Sequence, residues 1–159
     1  MLQVILALIP GIIAMVWYFG WGLLINMALA IGFALGFEAL VLRLRKRPVL
    51  ATLRDLSAVV TAMLFAIAVP PILPWWLTLI GMAFAIVLVK QLYGGLGYNP
   101  FNPAMAAYVL ILVSYPVQMT TWLPPYLISE HTLSLVDSLR LIFTGAPPPE
   151  LSLDAITMA

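Results

Sequence analysis

Five apolar segments follow one another along the first 117 residues, and each break between them is rich in proline, glycine or charge. The segments run over 2–19, 21–42, 56–69, 75–92 and 104–117. A membrane-spanning helix needs about 20 apolar residues, so the third segment is short for a full crossing. The pattern predicts an all-α protein of about five transmembrane helices, the first two forming a tight hairpin at Gly20.

The breaks carry start and stop signals for these helices. Pro10-Gly11 interrupts the first segment, and Pro70-Pro71 ends the third. Thr52, Asp55 and Ser57 are candidate N-caps for the third helix. Residues 118–159 are amphipathic and proline-rich, with a short helix predicted over 134–143. We therefore divide the chain into a membrane domain, 1–117, and an extracytoplasmic tail, 118–159.

Composition supports the membrane class. The chain of 159 residues is 64% hydrophobic and 8% charged, whereas soluble domains carry about 25% charged residues. It has no cysteine, which excludes disulfides, thiolate metal ligands and iron–sulfur clusters on this chain. The single histidine, His131, cannot form a metal site alone, so redox chemistry would need an organic cofactor. Nothing in the charge pattern indicates nucleic acid.

The basic residues predict the orientation. Five of the seven lie in the break between the second and third segments: Arg43, Arg45, Lys46, Arg47 and Arg54. Short loops rich in Lys and Arg face the cytoplasm. The N-terminus and the Gly94–Pro103 stretch are then cytoplasmic, whereas the Pro70–Trp76 turn and residues 118–159 lie outside. No basic residue precedes the first apolar segment, so we interpret it as a retained helix and not a signal peptide.

Residues 90–105 are the most irregular part of the apolar region, with the sequence KQLYGGLGYNPFNPAM. Such backbone is tolerated at membrane depth only when it is buried in protein or faces a cavity. Gly94 and Gly95 would allow a ligand to approach the backbone, and Asn99 and Asn102 offer donors and acceptors. The same residues are also ordinary turn formers. Spacing alone leaves both interpretations open.

Three acidic or hydroxyl side chains at the start of the third helix form a second candidate site. Ser57 and Thr61 share one helix face, and Asp55 from a cap position could turn towards them. They would line a polar cavity or ion route, or else Asp55 and Ser57 cap the helix and Thr61 bonds to its backbone. Glu38 lies near the end of the second helix, where pairing with Arg43 or Lys46 at the membrane surface is the simpler interpretation.

Several of these motifs resemble one protein family along essentially the whole chain. They are DLSAVVT at 55–61, PPILPWW at 70–76, KQLYGGLGYNPFNPA at 90–104, YPVQMTTW at 115–122 and LDAITMA at 153–159. The family is RnfD, the D-type subunit of the Rnf (Rsx) ion-translocating electron-transport complex, which is related to the B-type subunit of the sodium-pumping NADH:quinone oxidoreductase. The resemblance implies one half of an inverted-repeat, urea-transporter-like fold.

The resemblance also implies flavin. RnfD proteins carry flavin mononucleotide (FMN), esterified to a threonine of a Ser/Thr-x-Ala-Thr motif on the periplasmic side. Here that motif begins at Thr157, and the acceptor threonine is expected directly after Ala159, so the chain is expected to be a fragment. Asp154 and Thr157 are the cofactor-binding candidates in this segment. A second, non-covalent flavin, riboflavin, is expected near residues 55–61 and 94–102.

The implied function is that of a flavin-carrying membrane protein, a translocase component of a ferredoxin:NAD oxidoreductase in the bacterial inner membrane. Its partners would be the other proteins of an Rnf-type complex, the lipid bilayer, and a sodium ion or proton. A passive channel or solute-transporter half with no redox role is the alternative, and a purely structural assembly component is a third. An acceptor threonine after Ala159 would favour flavin over both.

Overall fold

The computed structural model describes residues 1–93, 98–127, 133–147 and 157, and the described part is built of helices. The helices are α1 (Leu2–Phe19), α2 (Gly22–Leu44), α3 (Val49–Leu53), α4 (Ser57–Ala68), α5 (Trp75–Ala83) with a π-helical continuation (Phe84–Gln91), α6 (Pro103–Ser114), α7 (Pro116–Thr120) and α8 (Leu135–Thr144).

The apolar segments and the observed helices agree closely. The first segment forms α1 at the predicted residues, and Pro10 lies inside this helix without ending it. The helix expected over 134–143 is α8, with Ser134 as its N-cap in a capping box with Asp137. Only α1 and α2 are individually long and apolar enough to cross a membrane, among the described residues. The helices from Ser57, Trp75 and Pro103 are apolar but shorter.

The fourth segment contains a feature that the hydrophobic pattern does not predict. Its first half is the α-helix α5, but Phe84–Gln91 is wound as a π-helix. π-Helical turns are rare and occur frequently at functional sites. Lys90 and Gln91 close this segment, and both are buried. The π segment therefore brings two consecutive polar residues into the interior.

Helix α2 is the centre of the bundle. It packs against α4, α5 and the π segment, and α6 packs against α4 and α5. Both α2 and α4 bury small residues in the same hydrophobic core: Ala30 and Ala34 of α2, and Ala58 and Ala62 of α4. Small side chains let helix backbones approach closely, which is how helices associate in a membrane. Helix α1, by contrast, has no fully buried residue.

The connections separate into two ends of the bundle. At one end lies the Pro70–Trp76 turn, which we call the proline turn. Its Ile72 packs with Leu123 and Leu141 of the tail, and its Trp75 stacks on Phe143 of α8. At the other end, Arg45 follows α2 and donates to the carbonyl of Gln91. The proline turn and the tail thus share one end, as the predicted alternation requires. Which end faces the cytoplasm stays a prediction.

Two close approaches fix the proline turn on α2. A Cβ at Gly22 would lie 2.7 Å from the carbonyl oxygen of Pro71. One turn later, Asn26 Nδ2 donates to the carbonyls of Pro71 (2.8 Å) and Leu73 (3.2 Å). Asn26 Oδ1 accepts from the hydroxyl of Thr78 at 3.1 Å. The buried Asn26 amide therefore has partners for both its donor and its acceptor ends.

We predict that Gly22→Ala lowers stability by about 1–3 kcal/mol, because the new methyl group forces the Pro71 carbonyl away from α2. Gly36→Ala is the matched control in the same helix, since a Cβ there meets nothing within 4 Å. Because alanine is the better helix former, the control should be neutral or slightly stabilising. Thermal unfolding of the two variants in detergent measures the difference. Equal effects of the two substitutions would contradict the close approach.

Candidate functional site

A buried ion pair joins α2 to the end of the π segment. Lys90 Nζ lies 2.5 Å from Glu38 Oε1 and 2.6 Å from Ser57 Oγ. Glu38 is 0% exposed and Lys90 is 2% exposed. This is the one salt bridge that the described residues contain. We call Glu38, Ser57, Lys90 and Gln91 the charge cluster.

Three separate elements supply the charge cluster. Glu38 lies less than two turns before the end of α2, and Ser57 is the first residue of α4. Lys90 and Gln91 are the last two residues of the π segment. Gln91 Nε2 donates to Glu38 Oε1 at 3.0 Å, so two donors converge on the same carboxylate oxygen. Arg45 holds the end of the segment by donating to the Gln91 carbonyl at 2.7 Å.

The second oxygen of Glu38 has no such partner. Oε2 is buried and makes no hydrogen bond to the described residues. Buried polar atoms are nearly always hydrogen-bonded, and an exception calls for an explanation such as an unseen ion or a catalytic role. A carboxylate oxygen that is buried, negatively charged and unpartnered is a ready ligand for a cation or a proton. The charge cluster therefore contains one carboxylate oxygen without a hydrogen-bond partner among the described residues.

The pairing predicted for Glu38 is wrong. We expected Arg43 or Lys46 at the membrane surface, but the structure turns Glu38 inward to Lys90 and leaves both of those basic residues exposed. The reason is the face of α2 on which Glu38 lies. Ala30, Ala34 and Glu38 are spaced four residues apart and share the buried face of α2, whereas Arg43 lies on the outer face.

Asp55, Ser57 and Thr61 were expected either to line a polar cavity or to cap and bond their own helix, and the structure shows some of each. Asp55 is exposed, and its Oδ1 accepts from the Ser57 amide at 2.7 Å, as a helix-capping carboxylate does. Thr61 Oγ1 donates back to the Ser57 carbonyl at 3.0 Å. Only Ser57 enters the charge cluster, through its hydroxyl. Leu56, between Asp55 and Ser57, has φ 61°, which directs the chain sharply into α4.

A cavity of about 390 Å³ lies beside the first turns of α4. Thr61, Asn99 and Asn102 line it, so the structure brings together three of the residues expected near a flavin. Asn99 Oδ1 is buried without a hydrogen-bond partner among the described residues. Asn102 is already engaged, because its Oδ1 caps α6 by accepting from Ala104 N at 2.9 Å. The remaining lining is largely apolar: Met1, Val4, Val60, Leu64, Pro100, Phe101 and Pro103.

Four further residues belong to the predicted cofactor-binding set. Gly94, Gly95 and Asp154 lie outside the described residues. Thr157 is half-buried and has an interaction partner. Sequence reasoning missed Lys90 and Gln91 as site residues, although a signal existed. Glu38 and Lys90 carry opposite charges within two apolar segments of the same bundle, and ionisable residues in such segments usually pair with one another.

Comparisons with known proteins identify the family of the chain. The model of the NQR2, RnfD, RnfE family matches residues 1–159. The D-type subunit of the ion-translocating oxidoreductase complex of Salmonella newport is 56% identical over 145 residues, covering 91% of this chain and 41% of the relative. The corresponding protein of Escherichia fergusonii is 54% identical over 145 residues, with the same two coverages.

A third relative extends the match to the full chain. The D-type subunit of the ion-translocating oxidoreductase complex of Aeromonas salmonicida is 55% identical over 159 residues, which is 100% of this chain and 44% of the relative. The chain thus spans about two fifths of the length of the curated relatives that it matches. Its apolar helices and these relatives together indicate a membrane protein. The chain belongs to the NQR2, RnfD, RnfE family, within which it is similar to the RnfD proteins of ion-translocating oxidoreductase complexes.

Proposed function

We propose that the chain is part of a membrane component of an Rnf-type ferredoxin:NAD oxidoreductase, in which it carries flavin and couples electron transfer to ion transport across the bacterial inner membrane. Its relatives are named as subunits of ion-translocating oxidoreductase complexes. The observation that carries the proposal is the buried Glu38 carboxylate, with one oxygen bound to Lys90 and the other without a hydrogen-bond partner in the described part of the chain.

The charge cluster is suited to ion coupling for energetic reasons. A buried ion pair is weak evidence for stability, because apolar residues in its place are often neutral or better. An ionisable group inside a membrane bundle more often marks an ion or proton pathway. Glu38 can accept a sodium ion or a proton at Oε2, whereas Lys90 fixes Oε1. We therefore assign the charge cluster to the ion route, in addition to its role in holding the helices together.

The lining of the cavity beside α4 supports a flavin as its occupant. Its apolar walls suit an isoalloxazine, and Asn99 Oδ1, which has no hydrogen-bond partner among the described residues, is an available acceptor for a ring N–H. Thr61 and Asn102 would add polar contacts at its edge. A bound flavin supplies electron transfer, and the protein supplies orientation and exclusion of water. We assign the non-covalent flavin, riboflavin, to this cavity. We assign covalent FMN to a threonine directly after Ala159 in the longer protein.

Helix α4 connects the two sites within about one turn. Ser57 contacts Lys90 with its hydroxyl, and Thr61, bonded to the Ser57 carbonyl, lines the cavity. Electrostatic interactions are strong over such distances in an interior of low dielectric constant. A change of charge in the cavity would alter the free energy of the Glu38–Lys90 pair. This would favour one of two arrangements of the charge cluster and so couple electron transfer at the flavin to ion binding at Glu38.

The rival function is a passive channel or solute transporter in which the same helices line a pore. It requires no flavin on the chain. In-gel fluorescence of the denatured full-length protein separates the two, because only covalently bound FMN remains on the polypeptide.

Topology belongs to the proposal as well: the N-terminus and the Arg43–Arg54 loop face the cytoplasm, and residues 118–159 face the periplasm.

We predict that Glu38→Gln in the intact complex reduces ion uptake into vesicles by about tenfold or more, since the neutral amide cannot balance a bound cation. Electron transfer measured with the uncoupled complex should fall far less. Asp55→Asn is the matched control: asparagine keeps a side-chain oxygen for the Ser57 amide and caps a helix about as well as aspartate, so uptake per complex should be unchanged. Normal uptake by the Glu38→Gln variant would remove the cluster from the route.

We also predict that Asn99→Leu lowers the amount of acid-extractable flavin in the purified complex, because the available acceptor in the cavity is lost. In-gel fluorescence of covalent flavin should not change. Tyr98→Phe is the control, since Tyr98 is 80% exposed and does not line the cavity. If extractable flavin is unchanged in the Asn99→Leu complex, the cavity is not its binding site.

A further inference from the structure

We propose that Lys90 is a tethered counter-cation that competes with the transported cation for Glu38. The Lys90 ammonium neutralises Glu38 when the site holds no transported cation, and it is released onto Ser57 when a cation binds. The inference rests on the proposed ion transport and adds a mechanism of exchange to it. The transported cation, a sodium ion or a proton, is a single positive charge in either case.

The geometry gives the Lys90 ammonium two acceptors at once. Nζ donates to Glu38 Oε1 on α2 and to Ser57 Oγ on α4. An ammonium group has three N–H donors and a flexible stem of four carbons. Lys90 can therefore keep its bond to Ser57 while its distance to Glu38 increases.

Charge balance makes the two cations compete. Glu38 is the only described carboxylate that contacts Lys90, and the pair is enclosed in the apolar bundle. The neighbouring charged groups are engaged elsewhere: Arg45 binds the Gln91 carbonyl, and Asp55 binds the Ser57 amide. A second cation at Oε2 would leave one buried positive charge without compensation, which is strongly unfavourable. Because the two cations repel each other across one carboxylate, binding of the transported cation weakens the Lys90–Glu38 bond.

Gln91 keeps the carboxylate in place during the exchange. Its Nε2 donates to Oε1, the same oxygen that Lys90 holds. Because this donor is neutral, its bond to Glu38 does not depend on the presence of the second cation. Oε1 therefore retains a partner when the ammonium leaves, and the carboxylate keeps its orientation. Gln91 is a positioning residue in this account.

The experiment measures uptake by the full-length complex in sealed vesicles as a function of cation concentration. Lys90→Met removes the competitor, so half-maximal uptake should need about tenfold less cation, while the maximal rate falls because release slows. Ser57→Ala removes the acceptor for the displaced ammonium, so half-maximal uptake should need about tenfold more cation. Opposite shifts are expected because Lys90→Met destabilises the cation-free state, whereas Ser57 is one of two acceptors for the ammonium in that state and its remaining acceptor once a cation binds.

The controls separate exchange from a structural effect. Lys90→Arg keeps the charge and should restore the half-saturating concentration towards the wild-type value. Ser138→Ala removes another buried hydroxyl, which donates to the Ser134 carbonyl on α8, and should have no effect on uptake. Sodium chloride is titrated at constant pH, and in a parallel series the pH is varied at constant sodium. The cation whose half-saturation moves is the competitor.

The outcomes distinguish this inference from the function on which it rests. If Glu38→Gln abolishes uptake but Lys90→Met leaves the half-saturating concentration unchanged or raises it, ion transport stands and the exchange mechanism is wrong. Should the Lys90→Met complex fail to assemble, Ser57→Ala decides, since it leaves the ion pair in place. A Ser57→Ala complex with wild-type half-saturation would equally overturn the exchange. Normal uptake in Glu38→Gln would remove both proposals.

Discussion

The structure depends on one constraint: a carboxylate and an ammonium group are enclosed in an apolar bundle and must find each other there. Glu38 comes from α2, Lys90 from the π segment and Ser57 from α4, so their contacts fix the relative depth of three helices. Apolar packing alone does not fix depth well, because small residues such as Ala30 and Ala34 recur along the interface. Breaking such a pair typically costs about 3–5 kcal/mol, which opposes sliding of the helices.

The two buried polar groups of α2 contrast in how far they are satisfied. Asn26, near the proline turn, has partners for its amide nitrogen and its oxygen. Glu38, near the other end, has one oxygen with two donors and one with none among the described residues. A fully satisfied hydrogen-bond network makes that end of the bundle rigid, whereas a partly satisfied one leaves a polar atom that can bind a ligand. The bundle thus has one end whose buried polar group is fully satisfied and one end whose buried carboxylate has an oxygen without a partner among the described residues.

Much of the fold could be predicted from hydrophobic pattern and turn chemistry, and less of the site. The apolar segments and the Ser134 cap gave helix positions within a few residues of those observed. The π winding before Gln91 could not be predicted, because it changes hydrogen bonding without changing the apolar pattern. The Glu38–Lys90 pair joins residues 52 positions apart. Local spacing cannot show such a contact, although two opposite charges in apolar segments were a usable signal.

The central claim is that the Glu38 carboxylate binds or releases its cation, a proton or a sodium ion, when the complex is reduced. Redox-difference infrared spectroscopy of the intact complex tests it most directly, because a carboxylate and a protonated carboxyl absorb at different frequencies. We expect a carboxylate signal that appears between the oxidised and reduced states and is absent from the Glu38→Gln complex. A difference spectrum that is identical in the wild-type and Glu38→Gln complexes would contradict the account.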